Sequence, residues 1–104
     1  MRSLLCRALM AFAALCAVCV ANAQEDFSKV EIKTEKIADG IYMMTGSGGN
    51  LGLAVGDDAV FLIDDQYAPL TPKIQAAIAA ITPKPVQFIL NTHWHGDHTG
   101  GNEK

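Results

Sequence analysis

The chain has 104 residues, 50% hydrophobic and 18% charged, with a net charge of −3 at pH 7. That composition suits one soluble domain plus one unusually apolar segment. An acidic balance without a basic stripe argues against nucleic acid and against an anionic membrane surface as partners.

The apolar segment comes first. Arg2 and Arg7 mark a short basic start, Ala8 to Val20 is uninterrupted apolar sequence, and Ala21-Asn22-Ala23 is a small-x-small cleavage site. This pattern predicts a secretory signal peptide over residues 1–23, removed on export to the periplasm or outside the cell. The run is shorter than the roughly 20 residues an ordinary membrane span needs, so no membrane association is expected after cleavage. Cys6, Cys16 and Cys19 all fall in this leader. The mature chain, Gln24 to Lys104, therefore has no disulfide and no thiolate metal ligand. Its six lysines against eleven acids give a net charge of −5.

Residues 24–104 read as one domain portion. Gln24 to Ser28 is polar and reads as a loose terminus. Val30 to Ile37 alternates as an edge strand with one wet face. Asp39-Gly40 is a hairpin turn and Ile41 to Met44 a second strand. Gly46-Ser47-Gly48-Gly49 breaks the chain. It lacks the lysine and the strand–loop–helix order of a phosphate loop, and reads instead as a turn near the functional site. Leu51, Leu53 and Val55 alternate as a third strand. Val60 to Ile63 is wholly apolar and is expected to be buried on both faces. Asp64 and Asp65 end it, and Asp64 is either a carboxylate that orients neighbouring ligands or a polar strand end.

Thr71-Pro72 predicts a helix start, with the hydroxyl as N-cap and proline at the first helical position. Ile74, Ile78 and Ile81, with Ala77, form an apolar helical face whose role is core packing. Pro83 and Pro85 end the helix. Val86 to Leu90 is a fifth strand, which gives the order β-β-β-β-α-β with an antiparallel meander before the helix.

This strand leads into Asn91-Thr92-His93-Trp94-His95-Gly96-Asp97-His98-Thr99-Gly100-Gly101-Asn102, which holds all three histidines of the chain. In an extended segment His93 and His95 leave on one face and Trp94 on the other. Two such imidazoles can clamp one divalent ion, and beyond the Gly96 turn Asp97 and His98 can serve a second. Two ions about 3.5–4 Å apart can activate water and polarise a substrate oxygen.

At these residues the sequence resembles the metallo-β-lactamase superfamily, whose His-x-His-x-Asp-His signature is met by His93, His95, Asp97 and His98. Val60-Phe61-Leu62-Ile63-Asp64 resembles the strand before that family's first helix. Thr99-Gly100-Gly101-Asn102 resembles its entry to the next helix. The resemblance runs from about Ile37 to the end. It implies an α+β fold, the first half of an αββα sandwich, apparently truncated because the family's downstream ligands are not in these 104 residues. It further implies two Zn²⁺ per complete domain, with iron possible, His93, His95, Asp97 and His98 as metal ligands, and a catalytic role for Asp97. Three functions are compatible. One is an exported hydrolase of a small-molecule β-lactam, lactone or thioester, of which this portion is expected to be inactive alone. The others are an iron-dependent persulfide oxygenase and a non-catalytic metal-binding remnant.

Overall fold

Short apolar runs separated by turn formers make a meander of four antiparallel strands, β1 (Lys33–Ala38), β2 (Ile41–Thr45), β3 (Leu51–Val55) and β4 (Val60–Ile63). The computed structural model describes residues 25–104, and the leader assigned to residues 1–23 lies outside the described residues. The chain then makes a 3-10 turn over Ala68–Leu70, the helix α1 (Thr71–Ala79), a fifth strand β5 (Phe88–Leu90) and a one-turn helix α2 (Gly96–Thr99). The strand β5 lies parallel to β4, and the sheet order follows the sequence, β1-β2-β3-β4-β5. A parallel neighbour needs a crossover connection, which α1 supplies. The β-β-β-β-α-β order expected from the sequence is therefore the observed one. The turn between β1 and β2 is Asp39-Gly40, with Gly40 at a φ of 72° that favours glycine.

The register decides which side chains reach the helix. Met44 pairs with Leu51, Leu53 with Leu62, and Val55 with Val60. Directly opposed residues share a face, and so do residues two apart along a strand. Met44, Leu51, Leu53, Val60 and Leu62 therefore form one apolar surface, and Leu70, Ile74 and Ile78 close on it as a continuous core. Burying each such side chain contributes about 1.5–3 kcal/mol.

The opposite face of the sheet is different. Phe61 and Phe88 stack there with ring centroids 4.9 Å apart. Ile41, Phe88 and Leu90 on that face are all exposed. The strand β4 is accordingly buried on one face only. Val60 and Leu62 are sealed while Phe61 and Ile63 are half-buried, because among the described residues only one layer covers the sheet. The strand β1 also departs from expectation. It begins only at Lys33 and is exposed along all six residues, since it is the outermost strand, while Val30 and Ile32, the apolar residues of the expected strand, lie just before it and pack half-buried against the core.

Two helix boundaries differ from the sequence reading. Thr71 is the first residue of α1 rather than its cap. Leu70 holds the cap position without a side-chain bond, and the Thr71 hydroxyl is buried with no partner. The preceding 3-10 turn feeds straight into the helix, so no extended residue is left to act as cap. The second difference lies at the histidines. Thr99 closes α2 instead of opening a helix, so Asp97 and His98 are helical.

Candidate metal centre

The end of β4 fixes the site. Asp64, Asp65 and Gln66 follow the last strand residue and are all buried, at 3%, 4% and 0% exposure. Asp64 and Gln66 both take left-handed backbone, with φ of 59° and 56°, a conformation uncommon for residues other than glycine. These alternating kinks send three consecutive side chains to three different segments. Asp64 reaches the start of the histidine loop and the His98 ring. Asp65 reaches the loop's exit, accepting from the Gly101 N–H at 2.9 Å. Gln66 turns the other way and donates through Nε2 to the Gly49 carbonyl at 2.6 Å.

The backbone joins the same two segments. The Asp64 N–H donates to the Leu90 carbonyl at 2.9 Å, and the Asp65 N–H to the His98 carbonyl at 3.0 Å. That His98 carbonyl also accepts from Asn91 Nδ2 at 3.0 Å, and Asn91 Oδ1 accepts from Asn102 Nδ2 at 2.8 Å. The loop is thus closed on itself at its base.

Asp64 arranges the imidazoles. Its Oδ1 accepts from the Thr92 N–H at 2.8 Å, and its Oδ2 accepts from the Thr92 hydroxyl at 2.7 Å and from His98 Nδ1 at 2.7 Å. Burial pushes this carboxyl up, but the bonds from His98 and Thr92 outweigh it and hold it below the ordinary 3.8. An ionised carboxylate only accepts, so His98 donates from Nδ1, and in the neutral ring Nε2 is the nitrogen that carries the lone pair. The same accounting extends to His93. The single hydroxyl proton of Thr92 is committed to Asp64, so the Thr92 oxygen accepts from His93 Nδ1 at 2.9 Å. His93 is therefore also held with its Nε2 lone pair outward.

Asp65 contrasts with its neighbour. Burial raises its carboxyl above 3.8, the Gly101 N–H only partly offsets this, and the Asp64 charge adds to it. Its second oxygen, Oδ2, has no partner.

All four residues expected to bind metal come together. The His93 ring lies with centroids 3.9 Å from His98 and 4.7 Å from His95. Asp97 Oδ2 is 3.5 Å from His98 Nε2. The local geometry is not the expected one, however. The strand β5 ends at Leu90, and residues 92–94 are bends. His93 and His95 therefore do not share a strand face by alternation. The bonds to Asp64 pull the chain out of extension at Thr92. Trp94 is 82% exposed, with its ring edge-on to His95 at 4.8 Å. As they stand, no three His, Cys, Asp or Glu side chains among the described residues are arranged to hold one ion. The donor set itself suits a borderline divalent ion, with imidazole nitrogens and a carboxylate side by side.

The glycine turn packs directly on this cluster. A methyl group at Gly48 would meet the Asp97 Cβ at 2.7 Å, and one at Gly49 would overlap the His98 ring, with Nδ1 at 2.9 Å. The sequence reading singled out His93, His95, Asp97 and His98 and weighed Asp64, but it missed Gln66 and Thr92. The polar Asp-Asp-Gln triplet at the end of an apolar strand was the available signal.

Comparison with known proteins shows the family. The family described as the metallo-beta-lactamase superfamily matches residues 44–104, and the chain belongs to that superfamily. Two solved structures share its fold. A mutant of the FEZ-1 metallo-β-lactamase from Legionella gormanii superposes with a TM-score of 0.65 at 24% identity, over 80% of this chain and 31% of that one. The DIM-1 metallo-β-lactamase superposes with a TM-score of 0.60 at 20% identity, over 72% and 38%. The chain thus spans about a third of the length of these structures. Comparison with curated proteins gives no match.

Proposed function

We propose that this chain carries part of the metal centre of an exported hydrolase that acts on a small molecule with an activated acyl bond, namely a β-lactam, a lactone or a thioester. Members of the superfamily generally bind metal ions, typically zinc. The observation that carries the reading is the shared orientation of His93 and His98, both held by the Asp64–Thr92 system with Nε2 lone pairs free. In this reading His93 and His95 serve one ion, and Asp97 and His98 the other. When bound, zinc supplies Lewis acidity and a nucleophile drawn from water at neutral pH. Asp64 orients and polarises His98, and Thr92 passes the same constraint to His93. Asp97, whose Oδ2 lies 3.5 Å from His98 Nε2, would serve as a ligand and supply the catalytic carboxylate. A catalytic zinc usually takes three protein ligands and one open position, so a fully furnished pair of ions draws on more than these four donors.

Calorimetric titration of the full chain with zinc, with metal analysis after purification, tests the reading. His95→Ala should lower zinc affinity at least tenfold, whereas Trp94→Phe should leave it within about twofold, because one removes a donor and the other keeps an aromatic edge beside it. Equal affinities in both variants would refute the ligand assignment, and iron rather than zinc in the purified protein would refute the hydrolase. The export part of the proposal rests on the sequence pattern of residues 1–23. N-terminal sequencing of protein recovered from the periplasm or medium should begin at Gln24, and a cytosolic chain starting at Met1 would refute it.

A further inference from the structure

We propose that Gln66 is a positioning residue for His98, acting through the Gly46–Gly49 turn; this rests on the reading of His98 as a metal ligand. Gln66 is fully buried and sits in left-handed backbone at a φ of 56°. A long polar side chain is rarely held so deep without a task, since burying an amide is costly unless it is hydrogen-bonded. Among the described residues the one hydrogen bond this side chain makes goes to the Gly49 carbonyl, at 2.6 Å, and its Oε1 has no partner. Gly49 in turn lies so close to the His98 imidazole that a methyl group there would overlap Cε1 and Nε2. The ring is therefore gripped from two sides. Asp64 holds Nδ1 by a directional bond, and the turn walls the edge that carries Nε2.

Both ends of Gln66 are enclosed by glycines that leave it room. A methyl at Gly46 would meet Gln66 Oε1 at 2.7 Å, and one at Gly100 would meet the Gln66 carbonyl oxygen at 2.7 Å. Gly46 begins the turn over His98, and Gly100 follows the helix that carries His98. Gln66 thus touches both the turn that covers the imidazole and the end of the helix that carries it. Its loss should let the turn drift from the ring while the sheet and α1 stay in place.

Gln66→Met and Gly49→Ala test this. Methionine is unbranched and of similar length, so the backbone strain is common to both residues, and the change removes an unpaired oxygen along with the hydrogen bond. Gly49 is not in left-handed backbone, so alanine there acts through its contact with His98 alone. The readout is the ring-nitrogen NMR spectrum of the metal-free full chain, which has only three histidines to assign. Both variants should shift the His98 ring signals, and by more than those of His93 and His95. Zinc affinity should fall about tenfold in Gly49→Ala and about threefold in Gln66→Met. The double variant should be no worse than Gly49→Ala alone, because the two changes act along one route. A thermal midpoint within a few degrees of wild type in Gln66→Met shows that the fold is kept, and Gln66→Leu takes its place should that variant not fold. An unmoved His98 spectrum in Gln66→Met, or strictly additive losses in the double variant, would overturn the proposal. Failure of the wild-type chain to bind zinc would overturn the metal-centre reading instead, and the metal-free spectra would still decide the role of Gln66.

Discussion

The helix α1 and the histidine loop both dock on the strand pair β4–β5, but by opposite means. Ile74 and Ile78 hold the helix to the sheet through apolar burial, which is non-directional and tolerant of small shifts. The loop buries almost nothing of its own. His93, Trp94 and His95 are exposed, and the segment is held by hydrogen bonds aimed from Asp64 and Asp65. Burial sets where a layer lies, whereas a centre that must present nitrogen lone pairs at a fixed angle needs directional bonds from a rigid, buried origin. The residues between the end of β4 and the 3-10 turn are that origin.

Breaking the burial side of this comparison should have the largest effect. Ile78→Asp puts an unpaired carboxylate in the centre of the core, at a cost of several kcal/mol. Thermal unfolding should show loss of the cooperative transition, and an unchanged midpoint would mean that the apolar face of α1 is not core.

Breaking the directional side should change the loop without unfolding the sheet. Asp64→Asn is nearly isosteric, and asparagine tolerates left-handed backbone as well as aspartate does. It keeps an acceptor for the Thr92 N–H, but puts an N–H donor where Oδ2 accepted from Thr92 and His98. Both imidazoles should then lose their enforced tautomer, and zinc affinity should fall by about 10–100-fold. Thr92→Val should release His93 only, with a smaller loss. Equal effects from the two variants, or none, would show that the hydroxyl relay does not exist.

The burial side was the more legible in the sequence, for physical reasons. The alternation of Leu51 and Leu53 and the helical spacing of Ile74 and Ile78 foretold β3, α1 and the face each buries, because burial follows periodicity, whereas the unbroken apolar run Val60–Ile63 foretold a strand but not that only one of its faces is sealed. The clustering of His93, His95, Asp97 and His98 was legible too, since they lie within six positions. Their mutual geometry was not. Alternation along a strand fails where Asp64 captures Thr92, and that contact joins residues 28 apart in sequence. Gln66 stood out only as part of a polar triplet after an apolar strand, and its contact was hidden for the same reason. Its role depends on a φ of 56° and on a glycine turn 17 residues upstream, neither of which a local pattern encodes.

The smallest expected effect separates the two adjacent carboxylates. Asp64 is held below 3.8 and Asp65 above it, so they respond to acid in opposite directions. The folded state keeps Asp64 ionised more readily than the unfolded chain does. Its stabilisation is present above the unfolded value and is lost as pH falls through the folded one. Asp65 is the reverse. The folded state binds its proton more tightly, so its contribution is most favourable below 3.8 and is lost as pH rises through its raised folded value. Asp65→Asn removes that second dependence while leaving an oxygen to accept from the Gly101 N–H. Relative to wild type, the variant should therefore fare better near pH 7 than below 3.8. At neutral pH its net effect should be small, within about 1–3 kcal/mol of wild type, because the relief of a buried charge is set against a buried amide N–H that inherits the orphaned position of Oδ2. Thermal midpoints of both chains measured from acid to neutral pH decide it. A difference that stays constant across the range would mean that Asp65 titrates alike in the folded and unfolded chains, and one that favours the variant in acid would mean that the fold lowers rather than raises its carboxyl.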